Sequence, residues 1–239
     1  MIADQTLQSL AAKRQTTELN LRREYFQHRF LTYFYQQPGI DNIFFKGGTA
    51  LRIIYNSPRF SEDLDFSSLT RDISVIEEAI LGTLIAISRE NIKVDLAEAT
   101  QTSGGYLAIV TFQTDHESIA VQLEISLREG KKRGEAITIT SDLTPAYMII
   151  ALEREQLVDE KIQALLTRKK ARDFYDLYFI LRANLLPPER RDILSKILEV
   201  LTESSIDFEK ELKEFLPRSH WAIIRDFSRS LAREIKRFL

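Results

Sequence analysis

The sequence predicts an α+β protein: a small mixed sheet with flanking helices, followed by a helical C-terminal lobe. Two observations carry that prediction. Segments that alternate apolar and polar residues are confined to the part of the chain before Pro145. Apolar residues at helical spacing fill the opening segment and everything after Pro145, with Pro187-Pro188 as a break. The division gives one lobe over residues 1–144 and a second over 145–239.

The elements follow in order. From residue 6 to 37, Leu7, Leu10, Leu21, Tyr25, Leu31 and Phe34 recur at helical spacing, and Pro38-Gly39 closes the segment. Residues 43–46, IFFK, read as a short buried strand. Residues 49–55 read as a helix stopped by Asn56-Ser57-Pro58. Strand signals then appear in DLDFSS, IKVDLAEA, YLAIVTFQ and AVQLEISLR, with an amphipathic helix over 73–90 between the first two. Residues 146–182 and 189–239 are predicted to be helical.

Composition narrows the function classes. The 239 residues are 44% hydrophobic and 28% charged, ordinary for a globular protein. The absence of cysteine excludes disulfides, zinc–cysteine sites and thiol chemistry. The first fifteen residues carry an early acid and no apolar core, unlike a secretory signal. No window reaches the roughly 18 uninterrupted apolar residues of a membrane span, so no membrane partner and a cytoplasmic location are expected. A net charge of −2 gives no global attraction to nucleic acid, so any such binding rests on local patches.

Residues 46–66, KGGTALRIIYNSPRFSEDLDF, carry most of the chemistry. Lys46-Gly47-Gly48-Thr49 lies between a strand and a helix, where backbone N–H groups and the helix dipole favour an anion. Glycines let a phosphate approach the backbone closely. Thr49 can cap the helix or offer its hydroxyl to a phosphate oxygen, and Lys46 adds a charge. The spacing matches neither GxxxxGK[ST] nor GxGxxG, and alone it equally describes a tight turn with nothing bound. Asp63 and Asp65 follow. On a strand they share a face while Leu64 and Phe66 turn to the core. Such a pair can bind divalent ions through hard oxygens or form the solvent side of a half-buried strand.

Taken together, the glycine turn and the acidic pair resemble the DNA polymerase β-like nucleotidyltransferase superfamily. Within it the chain is similar to the AbiEii/AbiGii-type toxin family, whose relatives include the MenT toxins. The matching stretches are Lys46-Gly47-Gly48-Thr49-Ala50-Leu51-Arg52, Arg59-Phe60-Ser61-Glu62-Asp63-Leu64-Asp65-Phe66, and Asp159-Glu160-Lys161-Ile162 through Arg172-Asp173-Phe174-Tyr175-Asp176-Leu177. The family often has Gly-Ser where this chain has Gly48-Thr49. The resemblance implies a sheet lobe of nucleotidyltransferase type bearing the site and a helical lobe closing over it. It further implies Mg2+-dependent transfer of a nucleoside monophosphate from an NTP to RNA, with the acceptor end of tRNA as the expected target, countered by a cognate antitoxin. On this chain Lys46, Gly47, Gly48, Thr49 and Arg52 would hold the triphosphate, and Asp63 and Asp65 the metal.

The superfamily also uses a third carboxylate, as base for the incoming hydroxyl. Glu124 in AVQLEISL shares a face with Gln122 and Ser126, and Asp95 in KVDLAE is its competitor. In the helical part, Lys161, Arg168 and Arg172 fall within about 40° of one face at 100° per residue, with Asp176 nearby. That holds if the helix is continuous through 167–170. Such cations could neutralise a triphosphate, and Lys161 and Asp176 match the family pattern best. Arg172-Asp173 could equally belong to a salt bridge at a helix start. Three basic groups bear on RNA: Lys131-Lys132-Arg133 in a glycine-bounded hairpin, Arg168-Lys169-Lys170, and Arg225, Arg229, Arg233 and Arg237 on the final helix. The last group also reads as a solvated face tied to Asp226 and Glu234. His28, His116 and His220 are assigned no role, and Trp221 is expected in the core.

Overall fold

Two short, mostly buried strands form the middle of the sheet in one of two compact units. The computed structural model describes residues 2–115, 117–127 and 130–239. His116 and Arg128, the last residue of the AVQLEISLR strand segment, lie outside the described residues. The chain forms two compact units. One holds the chain up to Asn56 together with Phe60–Glu153; the other holds Ser57–Arg59 together with Arg154–Leu239.

The first unit contains β1 Ile43–Lys46, β2 Leu64–Ser68, β3 Lys93–Thr102, β4 Gly105–Gln113, β5 Ser118–Ser126, β6 Gly134–Ile139 and β7 Tyr147–Leu152. These make a mixed sheet in the order β3-β4-β5-β2-β1-β7-β6. β1 pairs antiparallel with β2 and parallel with β7, and β2 runs parallel to β5. Helices α1 Asp4–Arg14, α2 Glu18–Phe34, α3 Gly47–Tyr55 and α4 Ile73–Ser88 accompany the sheet. The helical spacing over 6–37 thus resolves into two helices. Gln15 takes a left-handed conformation after α1. The Thr17 side chain caps α2 by accepting from the Asn20 N–H at 3.2 Å, which satisfies one of the helix's orphan donors.

Packing against the sheet runs through aromatic rings in stacked and tilted pairs. Phe26 of α2 stacks on Phe112 of β4 at 4.4 Å. Phe34 lies 5.2 Å from Phe66 of β2, itself 5.7 Å from Phe45 of β1. His28 has a packing role: its Nδ1 lies 2.6 Å from the Tyr147 hydroxyl, joining α2 to β7. Burial lowers the His28 pKa to about 4, and Arg14 and Arg52 push the same way.

Two predictions about the sheet and its connections require correction. Residues 147–152, YMIIAL, are not helical but form β7 alongside β1, and the sheet unit therefore continues to Glu153. A six-residue apolar run fits a buried strand and a helix segment equally well, and here pairing to β1 decides it. β6 is an additional edge strand whose GEAITI pattern carries a weak alternation. Because β5 and β6 are not neighbours, Lys131-Lys132-Arg133 lies on a connection between distant strands rather than in a hairpin.

The second unit contains α5 Arg154–Arg168, α6 Ala171–Arg182, α7 Ile193–Glu203, α8 Phe208–Leu212, α9 Trp221–Ile224 and α10 Phe227–Ile235. Its core is again aromatic: Phe227 stacks on Tyr175 at 5.8 Å and lies 4.8 Å from Phe208, which meets Phe174 edge-on at 5.7 Å. Trp221, expected in the core, is only half-buried. The Lys213 ammonium lies 4.7 Å from its ring centre, a cation–π arrangement. The C-terminal arginines do not share one helix, since α10 spans only Phe227–Ile235. Arg229 pairs with Asp226 at 3.3 Å on an exposed face, whereas Arg237 pairs at 2.8 Å with Glu234, which is buried rather than solvated. No helix among the described residues is long and apolar enough to cross a membrane.

Candidate active site

β1 ends at Lys46, and the chain turns into α3 through Gly47 at φ +85°. Glycine adopts that conformation without a Cβ clash. The first N–H groups of α3 have no acceptor within the helix and so remain available at its positive end. The reason for glycine is also tertiary. A Cβ on Gly47 would overlap Asp65 Oδ2. The Asp65 carboxylate thus lies in the notch that the missing side chain leaves.

Strand register extends this contact into a row. Lys46 of β1 is opposite Asp65 of β2, and Asp65 is opposite Glu124 of β5. Three polar side chains therefore stand side by side across neighbouring strands, at about 4.8 Å per step. Glu124 is exposed and accepts a hydrogen bond from the Gln122 amide at 2.6 Å. Asp95, its competitor, is on edge strand β3, opposite Thr111. Three strand steps separate β3 from β2, a distance of roughly 14 Å at the usual strand spacing. The row therefore takes Glu124 and leaves Asp95 out.

Asp63 precedes β2 by one residue, and the buried Thr49 hydroxyl donates to its backbone carbonyl. Thr49, expected to offer that hydroxyl to a phosphate, instead commits its proton to Asp63 and has only its backbone N–H for an anion. Arg52 is likewise reassigned: its Nε and Nη2 reach Glu24 Oε2 at 3.2 and 3.0 Å, and its guanidinium lies 4.0 Å from the Phe60 ring centre. Arg52 ties α3 to α2 rather than facing a triphosphate.

Among the described residues, no three His, Cys, Asp or Glu side chains converge closely enough to hold a metal ion by themselves. What the site has is Asp65 beside an anion-favouring turn, and Asp63 two positions ahead. Hard oxygen donors in small number, with phosphate oxygens to complete the shell, suit magnesium. The residues fit that ion as a shared ligand of protein and substrate.

In the second unit, Asp176 of α6 is buried and doubly bound. Arg59 donates to it from Nε at 2.8 Å and Nη2 at 3.0 Å, and Lys161 of α5 donates from Nζ at 2.7 Å. Burial raises the carboxyl pKa, but Arg59 and Lys161 outweigh it and hold the group at about 2. Asp176, expected to bind nucleotide, therefore has its oxygens taken up by two cations and positions Lys161. Arg59 belongs to a stretch that carries the family resemblance, yet sequence reasoning gives it no role, because its partner lies in a helix more than a hundred positions away. The continuous cationic face does not form, because Lys169 adopts φ +52° and separates α5 from α6. Arg168 bonds Asp173 at 2.6 Å, and Asp173 accepts from the Lys170 N–H at 3.2 Å. Asp173 thereby fixes the start of α6. Arg172 is partly buried, and its Nε has no hydrogen-bond partner.

A glycine turn facing acids on the neighbouring strand of a mixed sheet is the layout of a nucleotidyltransferase. Residues 29–238 match the family described as nucleotidyl transferase AbiEii toxin of type IV toxin–antitoxin systems, and the chain belongs to that family. Among solved structures it is similar to JHP933 from Helicobacter pylori (21% identity, TM-score 0.67, 93% of each chain covered). It is also similar to an H. pylori protein crystallised as a candidate nucleotidyltransferase (21% identity, TM-score 0.66, 93% of this chain and 95% of that one). Both likenesses bear on the fold. No protein of curated function matches the chain.

Proposed function

We propose that the chain transfers a nucleoside monophosphate from an NTP to RNA, with the acceptor end of tRNA as target, in a magnesium-dependent reaction that a cognate antitoxin counters in the cytoplasm. The observation that carries this reading is the Lys46–Asp65–Glu124 row beside the Gly47 notch. Lys46 and the N–H groups of Gly47, Gly48 and Thr49 cradle the triphosphate. Asp63 and Asp65 supply the protein's ligands to magnesium, which when bound neutralises charge on the phosphates. Glu124 takes the proton of the attacking hydroxyl. The new O–P bond forms at the α-phosphate as the bond to pyrophosphate breaks. In the second unit, Lys161, held by Asp176, and Arg172 are the candidate cations for a phosphate-bearing substrate.

The test is to incubate the protein with α-labelled and γ-labelled NTPs, magnesium and total RNA. Label from the α-phosphate should enter RNA, and Asp63→Ala or Asp65→Ala should reduce it by several orders of magnitude while leaving the metal-free melting temperature nearly unchanged. Transfer of γ-label alone would make the protein a kinase. Near-full turnover by either variant would remove the metal assignment.

A further inference from the structure

Asp65 is set by strand pairing and by the Gly47 notch, whereas Asp63 stands one residue ahead of β2, whose ladders begin at Leu64 and Asp65. Side chains hold the segment that leads to it. Phe60 is buried with Leu7, Ala11 and Leu21 of α1 and α2, and the Arg52 guanidinium lies 4.0 Å from its ring centre. The next three backbone carbonyls each accept from a side chain. Gln27 of α2 donates from its amide Nε2 to the Ser61 carbonyl at 2.9 Å and to the Glu62 carbonyl at 3.0 Å. The Thr49 hydroxyl donates to the Asp63 carbonyl. Gln27 is 1% exposed. An amide so deeply buried costs free energy unless its donors are satisfied, and here both of its N–H groups go to successive carbonyls of one short segment. An unbranched apolar side chain would pack at this position but would hold neither carbonyl. Gln27 also lies ahead of residue 29, where the family match begins.

We propose that Gln27 is the positioning residue for the Asp63 carboxylate. The inference rests on the metal assignment proposed above and adds what aims the ligand that strand pairing leaves unset. Each peptide unit is planar, so the Asp63 Cα lies between two planes, one carrying the Glu62 carbonyl and the other its own. Gln27 holds the first plane and Thr49 the second. With both planes held, the Cα–Cβ bond of Asp63 leaves the backbone in one direction. Removing the Gln27 donors frees the first plane while the strand beyond Leu64 keeps its register. Groups that orient a metal ligand without touching the ion typically change metal affinity or activity by about 10- to 100-fold. A displacement of about 1 Å at a reacting centre can cost about 100-fold.

The test compares Gln27→Met, which keeps the length and removes both donors, with wild type on the full chain. Mn2+ binding is titrated by electron paramagnetic resonance in the presence of the four α,β-imido NTPs, so no turnover is needed. Gln27→Met should weaken Mn2+ by about 10-fold or more, while affinity for the same analogues in EDTA stays near wild type. In transfer assays, the magnesium concentration for half-maximal rate should rise in parallel and the KM for RNA should not. Gln27→Asn, whose amide falls one methylene short, should show the same losses and replaces the methionine variant if that one is insoluble. Arg23→Gln removes an ion pair to the partly exposed Glu62 side chain but no backbone anchor, and should match wild type throughout. Unchanged Mn2+ affinity in the Gln27 variants overturns the proposal even where the melting temperature falls, because packing alone would produce that result. If Asp63→Ala binds Mn2+ as wild type does, the metal assignment fails and the positioning role falls with it. If Asp63→Ala loses Mn2+ and the Gln27 variants keep it, only the positioning role is lost.

Discussion

Asp65 Oδ2 occupies the space beside Gly47 where any larger residue would place its Cβ. The glycine turn and the Asp65 carboxylate are thereby in direct apposition, and a side chain at position 47 would have to displace the acid. This makes the contact the most direct point at which to perturb the proposed site.

Gly47→Ala should therefore lose transfer by at least roughly 100-fold, comparable to removing a positioned electrostatic group. Both the positive φ and the clash with Asp65 act on the same residue, so about 1–2 kcal/mol of stability should go too. Transfer assays alongside thermal melts separate the two effects. A variant that melts lower yet transfers at the wild-type rate would show that Asp65 is not part of the chemistry.

Thr49 offers a finer test, since its hydroxyl holds the Asp63 carbonyl. Thr49→Ser keeps the donor and should behave as wild type. Thr49→Val keeps the shape but removes the hydroxyl's bond to the Asp63 carbonyl, costing about 0.5–1.5 kcal/mol. If Thr49 serves through Asp63, the valine variant should raise the magnesium concentration needed for half-maximal rate more than it raises the KM for NTP.

Asp176 links stability to pH. Its carboxyl titrates at about 2 in the folded chain, against 3.8 ordinarily. The ion pairs with Arg59 and Lys161 therefore stabilise the fold fully above about pH 4, by about 2 kcal/mol, and that contribution disappears as pH falls from about 4 towards 2. Asp176→Asn should flatten this part of the acid-unfolding profile. At neutral pH it removes the negative charge that Arg59 and Lys161 share, at a cost of about 3 kcal/mol. Chemical denaturation at pH 7 and at pH 3 measures both effects.

The sequence discloses local chemistry here more readily than distant partners. Gly47-Gly48 and Asp63-Leu64-Asp65 stand in one short window, so their coupling is readable before any fold is known. Glu124 and Asp95, by contrast, are equivalent mid-strand acids in one dimension. Only the parallel pairing of β5 with β2 puts one in the row, and register of that kind depends on the folded sheet. Thr49, Arg52 and Asp176 look like ligand-binding residues because each carries the right functional group. Their partners Asp63, Glu24 and Arg59 lie 14, 28 and 117 positions away, and those contacts direct the same groups to structural work. The strand at 147–152 reads as helix in one dimension because six apolar residues do not show which neighbour they will meet.

That last strand sets an order of events. Phe45 pairs in parallel with Ala151, more than a hundred residues downstream. On a ribosome, β1 emerges with one flank open and stays so until residues 147–152 have been synthesised. A truncated or half-made chain would lack the rail that steadies Lys46 and Gly47. The Lys46–Gly47 turn would then be braced on both flanks only when most of the polypeptide exists.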